Sequence, residues 1–213
     1  MSNQETNTRR TIITILRTEG PMSAGDLAER IGITEMAIRR HIATLERDDL
    51  IFPTTIRQPM GRPAKVYQLT EVADELFPKS YHSLMLDILE DIVRVDGEDK
   101  IQAIFDQREE RLTSQLNEML EGKSLEEKVQ ALAEMQNNKG YLAKWERKDD
   151  GSYEIIEYNC PIAQVSKVYP QTCACETNVF RRVLGTEVDR SQCLAEGGSS
   201  CVFKIETGEQ TEG

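Results

Sequence analysis

Apolar positions recur every three or four residues through most of the first 140 positions and then give way to alternation. A helical front half followed by a mixed, strand-containing end is the pattern this implies. From Thr8 to Arg17, Ile12, Ile13, Ile15 and Leu16 share one helix face, and Gly20-Pro21 ends it. Ser23, with Asp26 three residues on, forms a capping box for a helix whose inner side is Leu27, Ala28 and Ile31, and Gly32 turns the chain. Thr34 caps a third helix with a buried stripe of Ile38, Ile42 and Leu45. Two short helices joined through such a turn are the signature of a helix-turn-helix. Two β-prone runs come next, Leu50 to Ile56 and Val66 to Leu69, separated by a loop from Gln58 to Lys65 that Pro59 and Pro63 stiffen. That is a wing.

On the third helix, a rotation of 100° per residue places Met36, Arg40, Ala43 and Arg47 opposite Ile38, with Ala37, Arg39 and Thr44 on the flanks. This side would face a major groove. Arginine is the commonest bidentate partner of guanine, so Arg39 and Arg40 are the first candidates for base contact, with Thr34, Met36, Ala37 and Thr44 around them. Arg62 and Lys65 on the wing are placed for phosphates or a minor groove. A solvated basic face on an ordinary helix is the bland alternative. His41 and His82 have no metal-ligand spacing.

Beyond the wing, Thr70 is expected to cap a helix through Phe77, which Pro78 breaks. Helical stripes then run from Tyr81 to Val93 and from Ile101 to Leu120, and a third extends from the capping box of Ser124 and Glu127 to about Lys139. These read as core or as a dimer interface, since helix-turn-helix proteins commonly read paired half-sites as symmetric dimers. From Gly140 the texture changes. Asp149-Asp150-Gly151 turns a hairpin whose second strand, Tyr153 to Tyr158, delivers Cys160; a helical face of Val179, Phe180, Val183 and Leu184 comes after Glu176 and Gly185 closes it, and short strands begin at Val188 and Cys201.

The net charge of -11 is unevenly spread: residues 1–70 hold ten Lys and Arg against eight Asp and Glu, and the remaining 16 basic and 29 acidic residues lie beyond. A basic head on an acidic body fits a nucleic-acid partner for the head alone. There is no long apolar run for a membrane and no apolar leader at the start, so a reducing cytoplasm is expected, where clustered cysteines read as metal-binding or redox-active. All five cysteines fall in the last quarter: Cys160, Cys173, Cys175, Cys193 and Cys201. No close CxxC pair is present, so zinc is not the first suggestion of the spacing, yet spacing alone leaves zinc and an iron-sulfur cluster both open. No activated-nucleophile or phosphate-cradling motif points to an enzyme.

The wing segment Gly61-Arg62-Pro63 followed by Val66-Tyr67-Gln68-Leu69-Thr70 resembles that of the DeoR/ArsR-like repressor group. The run Asn159-Cys160-Pro161, Tyr169-Pro170-Gln171-Thr172-Cys173 with Glu176, then Leu184-Gly185, Cys193, Glu196-Gly197 and Cys201 before Phe203 resembles the sensor of SufR-type iron-sulfur repressors. The likeness implies an α+β chain: an N-terminal winged helix-turn-helix over 1–77, central dimerisation helices over 78–139, and a small C-terminal α/β cysteine-rich sensor domain over 140–213. It implies a [4Fe-4S] or [2Fe-2S] cluster on Cys160, Cys173 and Cys201, with Cys193 as the fourth ligand and Cys175, which departs from the pattern, as the alternative. A dimeric repressor of cluster-assembly genes, bound to a double-stranded DNA operator while loaded, is the function implied. Two alternatives remain: a structural zinc beside a small-molecule-binding C-terminal domain, and a thiol-redox switch through Cys173 and Cys175 or through Cys193 and Cys201.

Overall fold

The computed structural model describes residues 3–57 and 63–207, with side chains from residue 7 onward. The chain divides into two units, Met1–Lys79 and Ser80–Gly213. In the first, α1 (Asn3–Glu19), α2 (Ala24–Ile31) and α3 (Glu35–Arg47) precede the antiparallel pair β1 (Ile51–Ile56) and β2 (Ala64–Leu69). Ser23 and Asp26 complete their capping box, and Gly32 ends α2 at φ 78°, a left-handed conformation that costs a residue with a Cβ. Ile12, Leu27, Ile38 and Leu45, at most 1 % exposed, bind the three helices into one core. Met22 and Tyr67 exchange backbone hydrogen bonds of 3.1 and 2.8 Å, which dock β2 on the turn between α1 and α2. The wing tip, including Arg62, lies outside the described residues.

Thr70 caps less than the sequence reading expects. Its Oγ1 accepts from Ala73 N at 3.3 Å, but the chain makes only one 3-10 turn there, Val72–Leu76, because Thr70 also donates to Asp49 O at 2.6 Å and is held to the end of α3.

In the second unit, α4 (Tyr81–Asp96), α5 (Glu98–Met119) and α6 (Leu125–Asn138) lead to β3 (Ala143–Arg147) and β4 (Tyr153–Glu157), then to the short α7 (Ala163–Ser166), α8 (Gln171–Leu184), β5 (Val188–Gln192) and β6 (Cys201–Ile205). The sheet order is β3-β4-β6-β5, antiparallel throughout. One face of α8 lies on this sheet, where the rings of Phe180 and Phe203 meet at 4.9 Å. Its other side packs on α5.

The central helices are therefore not a segment apart, as a boundary at 139/140 would make them. Phe105, Leu116, Val129 and Leu132 share a single core with Ile155, Val179 and Phe203. The four-stranded sheet covers only one side of α8, and α5 and α6 supply the apolar layer that a cysteine-rich domain of some 70 residues could not supply alone.

Gly198 sits in the β5–β6 connection with its N–H bonded to Cys193 O at 2.9 Å. A Cβ there would stand 2.7 Å from Gln192 Cγ and 2.8 Å from Cys193 O, whereas one at Gly25 in α2 would meet nothing closer than Ser23 Oγ at 3.7 Å. Gly198→Ala should thus destabilise the second unit by about 1–3 kcal/mol, and Gly25→Ala should leave the first unchanged or firmer by up to about 1 kcal/mol. Urea denaturation of both variants, followed by Trp145 fluorescence and by circular dichroism, measures each.

Candidate functional site

Four segments of the second unit carry the five cysteines. Cys160 comes just after the end of β4, where Asn159 Nδ2 donates to Gly140 O at 2.7 Å and Asn159 N to Tyr141 O at 3.0 Å, pinning the strand exit to the start of the hairpin. Cys173 and Cys175 lie in the first turns of α8, which begins five residues before Glu176, earlier than the apolar face alone indicates. Cys193 directly follows β5 and Cys201 opens β6.

Three of the thiols gather, a fourth lies near them, and one faces away. Cys173 Sγ stands 4.0 Å from Cys193 Sγ, Cys193 is in hydrogen-bonding contact with Cys201, and Cys160 lies within electrostatic reach of Cys173. Cys175 is two positions from Cys173, about 200° around the helix. Its neighbours are Asp106, Arg108 and Glu109 of α5, on the far side of α8 from the sheet. The helix phase thus gives the two adjacent cysteines different surroundings. Among the described residues no three His, Cys, Asp or Glu side chains converge on a point where a single ion would sit.

Burial acts on four of the five thiols. Burial raises Cys160, Cys173 and Cys175 above the ordinary cysteine range and pushes Cys201 up to about 12, although Leu194 N donates to Cys201 Sγ at 3.3 Å. The buried Ser166 hydroxyl interacts with both Cys160 and Cys173, and accepts from Thr172 Oγ1 at 3.0 Å. Arg190, at the bulge where β5 shifts register against β6, has a charge that favours the Cys173 thiolate; its Nη1 is buried without a hydrogen-bond partner among the described residues. A guanidinium with one buried nitrogen unpartnered, near Cys173 as well as the Glu157 and Glu176 carboxyls, fits a group that brings negative charge to the thiols.

Next to the thiols lies a buried polar fork. Gln136 Nε2, on α6, donates to Glu157 Oε1 at 2.8 Å and to Glu176 Oε1 at 2.7 Å. Glu157 is fully buried in β4, opposite Cys201 of β6, and its Oε2 has no partner among the described residues. Sequence reasoning missed Gln136, Glu157, Ser166 and Arg190. Glu157 was open to detection, since it has the same parity in its strand as Tyr153 and Ile155, both buried.

In the first unit, Thr34 Oγ1 accepts from Ala37 N at 3.3 Å and starts α3. Met36 is 71 % exposed, Arg39 and Arg40 are exposed, and Ala37 and Thr44 are half-buried. The two arginines differ. Arg39 donates from Nε and Nη2 to the single oxygen Oε1 of Glu35, at 2.9 and 2.5 Å, while Arg40 has no carboxylate partner among the described residues. Thr44 Oγ1 is turned back to Arg40 O at 3.2 Å. Lys65 on β2 is exposed, its Nζ 5.1 Å from the centre of the Tyr67 ring. The exposed side of α3 is thus free at Met36 and Arg40 and lightly self-paired at Arg39, a contact worth little in water.

Residues 8–52 match the family model described as "HTH domain". The chain carries a helix-turn-helix domain, and β1 and β2 give it a wing. No curated protein shows significant sequence similarity. Among solved structures, the transcriptional regulator Tm0710 from Thermotoga maritima is 22 % identical, with 48 % of this chain and 70 % of that one covered and a TM-score of 0.29. The adhesin competence repressor AdcR from Streptococcus pyogenes gives 19 %, 55 %, 80 % and 0.30 in the same order. PadR from Bacillus subtilis, in complex with operator DNA, gives 13 %, 83 %, 97 % and 0.29. Scores of this size do not assign the chain to any of their groups. No described helix is long and apolar enough to cross a membrane.

Burial, with Glu176 beside it, pushes the Glu157 carboxyl up to about 9 from an ordinary 4.5. Between those values the folded chain holds a proton that the unfolded chain has lost, so this contribution to stability is full below pH 4.5 and fades as pH rises through 9. Metal-free protein should therefore show a lower urea midpoint for the second unit at pH 8.5 than at pH 5.5. Glu157→Gln, an isostere of the protonated acid, should flatten that dependence; an unchanged slope in the variant would assign it elsewhere.

Proposed function

We propose that this chain is a DNA-binding transcriptional regulator, a repressor of iron-sulfur cluster assembly genes, whose operator binding depends on a cluster held by Cys160, Cys173, Cys193 and Cys201. The observation that carries the reading is the approach of Cys173, Cys193 and Cys201 to one another, with Cys160 within electrostatic reach of Cys173, beside an Arg190 whose Nη1 has no hydrogen-bond partner among the described residues. A cluster spaces its thiolates around several irons and sulfides and so asks for a looser ring of donors than a lone ion does. Its net negative charge is what Arg190 would balance, and Ser166 would donate to sulfur and tune its stability. With Cys175 turned to the α5 side of α8, Cys193 is the fourth ligand. The cluster, when bound, supplies a redox- and oxygen-sensitive link between four separate chain segments. Loss of that link would change the population of the DNA-competent form by the difference in cluster affinity between the two forms.

Operator reading would use α3, with Arg40 as the unpaired base-contacting arginine and the wing on the backbone. A second copy is expected, as symmetric dimers match paired half-sites. Tyr81, Leu84, Ile88 and Val95, between 46 and 76 % exposed, form a heptad-like apolar stripe on α4 that would suit it. The protein would be cytoplasmic and without catalytic activity.

A second reading is favoured by one distance. Two thiols 4.0 Å apart need only rotate to be bridged, so a thiol-redox switch would use Cys173 with Cys193, in place of the two pairs the spacing suggests. A tetrahedral zinc would also hold sulfurs about 3.8 Å apart.

Protein purified without oxygen should carry iron with matching acid-labile sulfide. Cys160→Ser and Cys201→Ser should abolish both, Cys175→Ser should keep them, and Arg190→Gln should lose the cluster several-fold faster in air. Zinc without sulfide, or a reversible Cys173–Cys193 disulfide that tracks DNA release, would replace this reading with one of the alternatives. On a DNA fragment selected by the loaded protein from a random pool, Arg40→Ala should weaken binding by about 5- to 150-fold, more than Arg39→Ala does.

A further inference from the structure

The second unit contains a cavity of about 770 Å³ that the thiol site does not use. It opens to solvent, with Met85 and Met119 exposed at its edge, and its volume falls within the range that holds a drug-sized ligand. Leu89, Phe105, Leu112, Leu116, Val179 and Phe180 supply its apolar walls from α4, α5 and α8. It lies wholly within one compact unit.

The polar groups around it separate into two sets. Tyr141, Gln136 and Glu176 line one part, and their needs are met among themselves: Gln136 donates to Glu176, and Tyr141 is also hydrogen-bonded to it. Arg108, Arg111 and Lys139, also lining residues, are exposed at the rim, and none forms an ion pair with a carboxylate of the described residues. The contrast with their neighbours is sharp, since Glu109 and Glu110 of the same helix are both taken by Arg182. In a chain of net charge -11, three exposed cations without a carboxylate partner among the described residues line one apolar cavity. An apolar body with an anionic head is what that arrangement complements; a cationic head would meet repulsion at the rim.

We propose that this cavity is a binding site for an amphiphilic carboxylate, its chain or ring against Leu112, Leu116, Val179 and Phe180 and its carboxylate between Arg108 and Lys139. The site shares α8 with the thiol ring: Cys173 stands on one side of the helix, and Cys175 lines the cavity on the other. It does not rest on what the thiols bind.

The test is calorimetric titration of the full chain with hexanoate, octanoate and decanoate below their micelle concentrations, with decylamine as the cationic control. Saturable binding should tighten roughly tenfold for each two methylenes added, as burial of an alkyl chain requires. Decylamine should bind at least tenfold more weakly than decanoate. Arg108→Gln, an exposed change that does not threaten the core, should cost decanoate about tenfold, and Leu112→Trp, which fills the cavity, should abolish binding while far-ultraviolet circular dichroism stays unchanged. Equal affinity for decanoate and decylamine, no dependence on chain length, or full affinity in Leu112→Trp would each overturn the proposal. So would sedimentation showing that Leu112→Trp splits a dimer that binds no decanoate, because a second copy would then be the occupant. Iron and sulfide measured on the same samples keep the two readings apart: a loaded protein that ignores decanoate sinks the cavity alone, and decanoate binding by a chain that never takes up iron sinks the cluster alone.

Discussion

One amide ties three elements of the second unit together. Gln136 reaches from α6 to a carboxyl on β4 and another on α8; without it Glu157 would be a buried acid with no donor and Glu176 would keep only its bond to Tyr141. An unpartnered buried carboxyl costs several kcal/mol, so the three elements are fixed to one another by a penalty for parting as much as by packing. Cys160 leaves the end of β4, Cys173 rides on α8, and Cys201 is paired to Glu157 across β4 and β6. The fork therefore sets the relative placement of three thiols without touching a metal. The two acids tolerate this closeness because burial keeps them protonated, with Glu176 raised for the same cause as Glu157.

The phase of α8 decides the rest. At 100° per residue, a site that takes Cys173 toward the sheet must send Cys175 toward α5, and the same rotation places Val179 and Phe180 where they close a core on one side and wall a cavity on the other. Sequence spacing alone leaves Cys175 as a competitor for the fourth ligand. Helix geometry separates the pair, but only once the helix is known to begin at Gln171 instead of after Glu176.

That boundary shows what could and could not be read from the residues. The first unit was legible almost throughout, because its signals are local: a capping box at Ser23, a glycine at the left-handed end of α2, and a stripe at Ile38, Ile42 and Leu45. The hairpins and the box at Ser124 were legible for the same reason. The start of α8 was not, since Pro170 opens it with no side-chain cap and its first turn is Gln171, Thr172 and Cys173, residues with no strong helical voice. Nor was the fusion of α4, α5 and α6 with the sheet, which depends on long-range burial that periodicity does not encode. Glu157 is the instructive case: alternation along β4 points it inward with Tyr153 and Ile155, and charge alone argues it outward. Strand parity wins because a one-residue slip would turn Tyr153 and Ile155 to water, while the acid needs only a proton and one donor to stay inside.

A helix that serves a thiol ring on one side and a lined cavity on the other cannot report on them independently. Whatever orders the Cys173 side by binding there fixes the axial position of α8, and with it Cys175, Val179 and Phe180. Whatever fills the cavity fixes the same helix from behind. By linkage, each occupant must then change the other's affinity by the same factor, and that factor is unity only if α8 has a single position in all states. The buried fork of Gln136, Glu157 and Glu176 argues for few positions, well separated, because its hydrogen bonds cannot stretch gradually without losing a donor. If the thiols and the cavity are occupied as proposed, α8 would carry one ligand on each face, and its coupling would be read as a change in either affinity when the other site is filled.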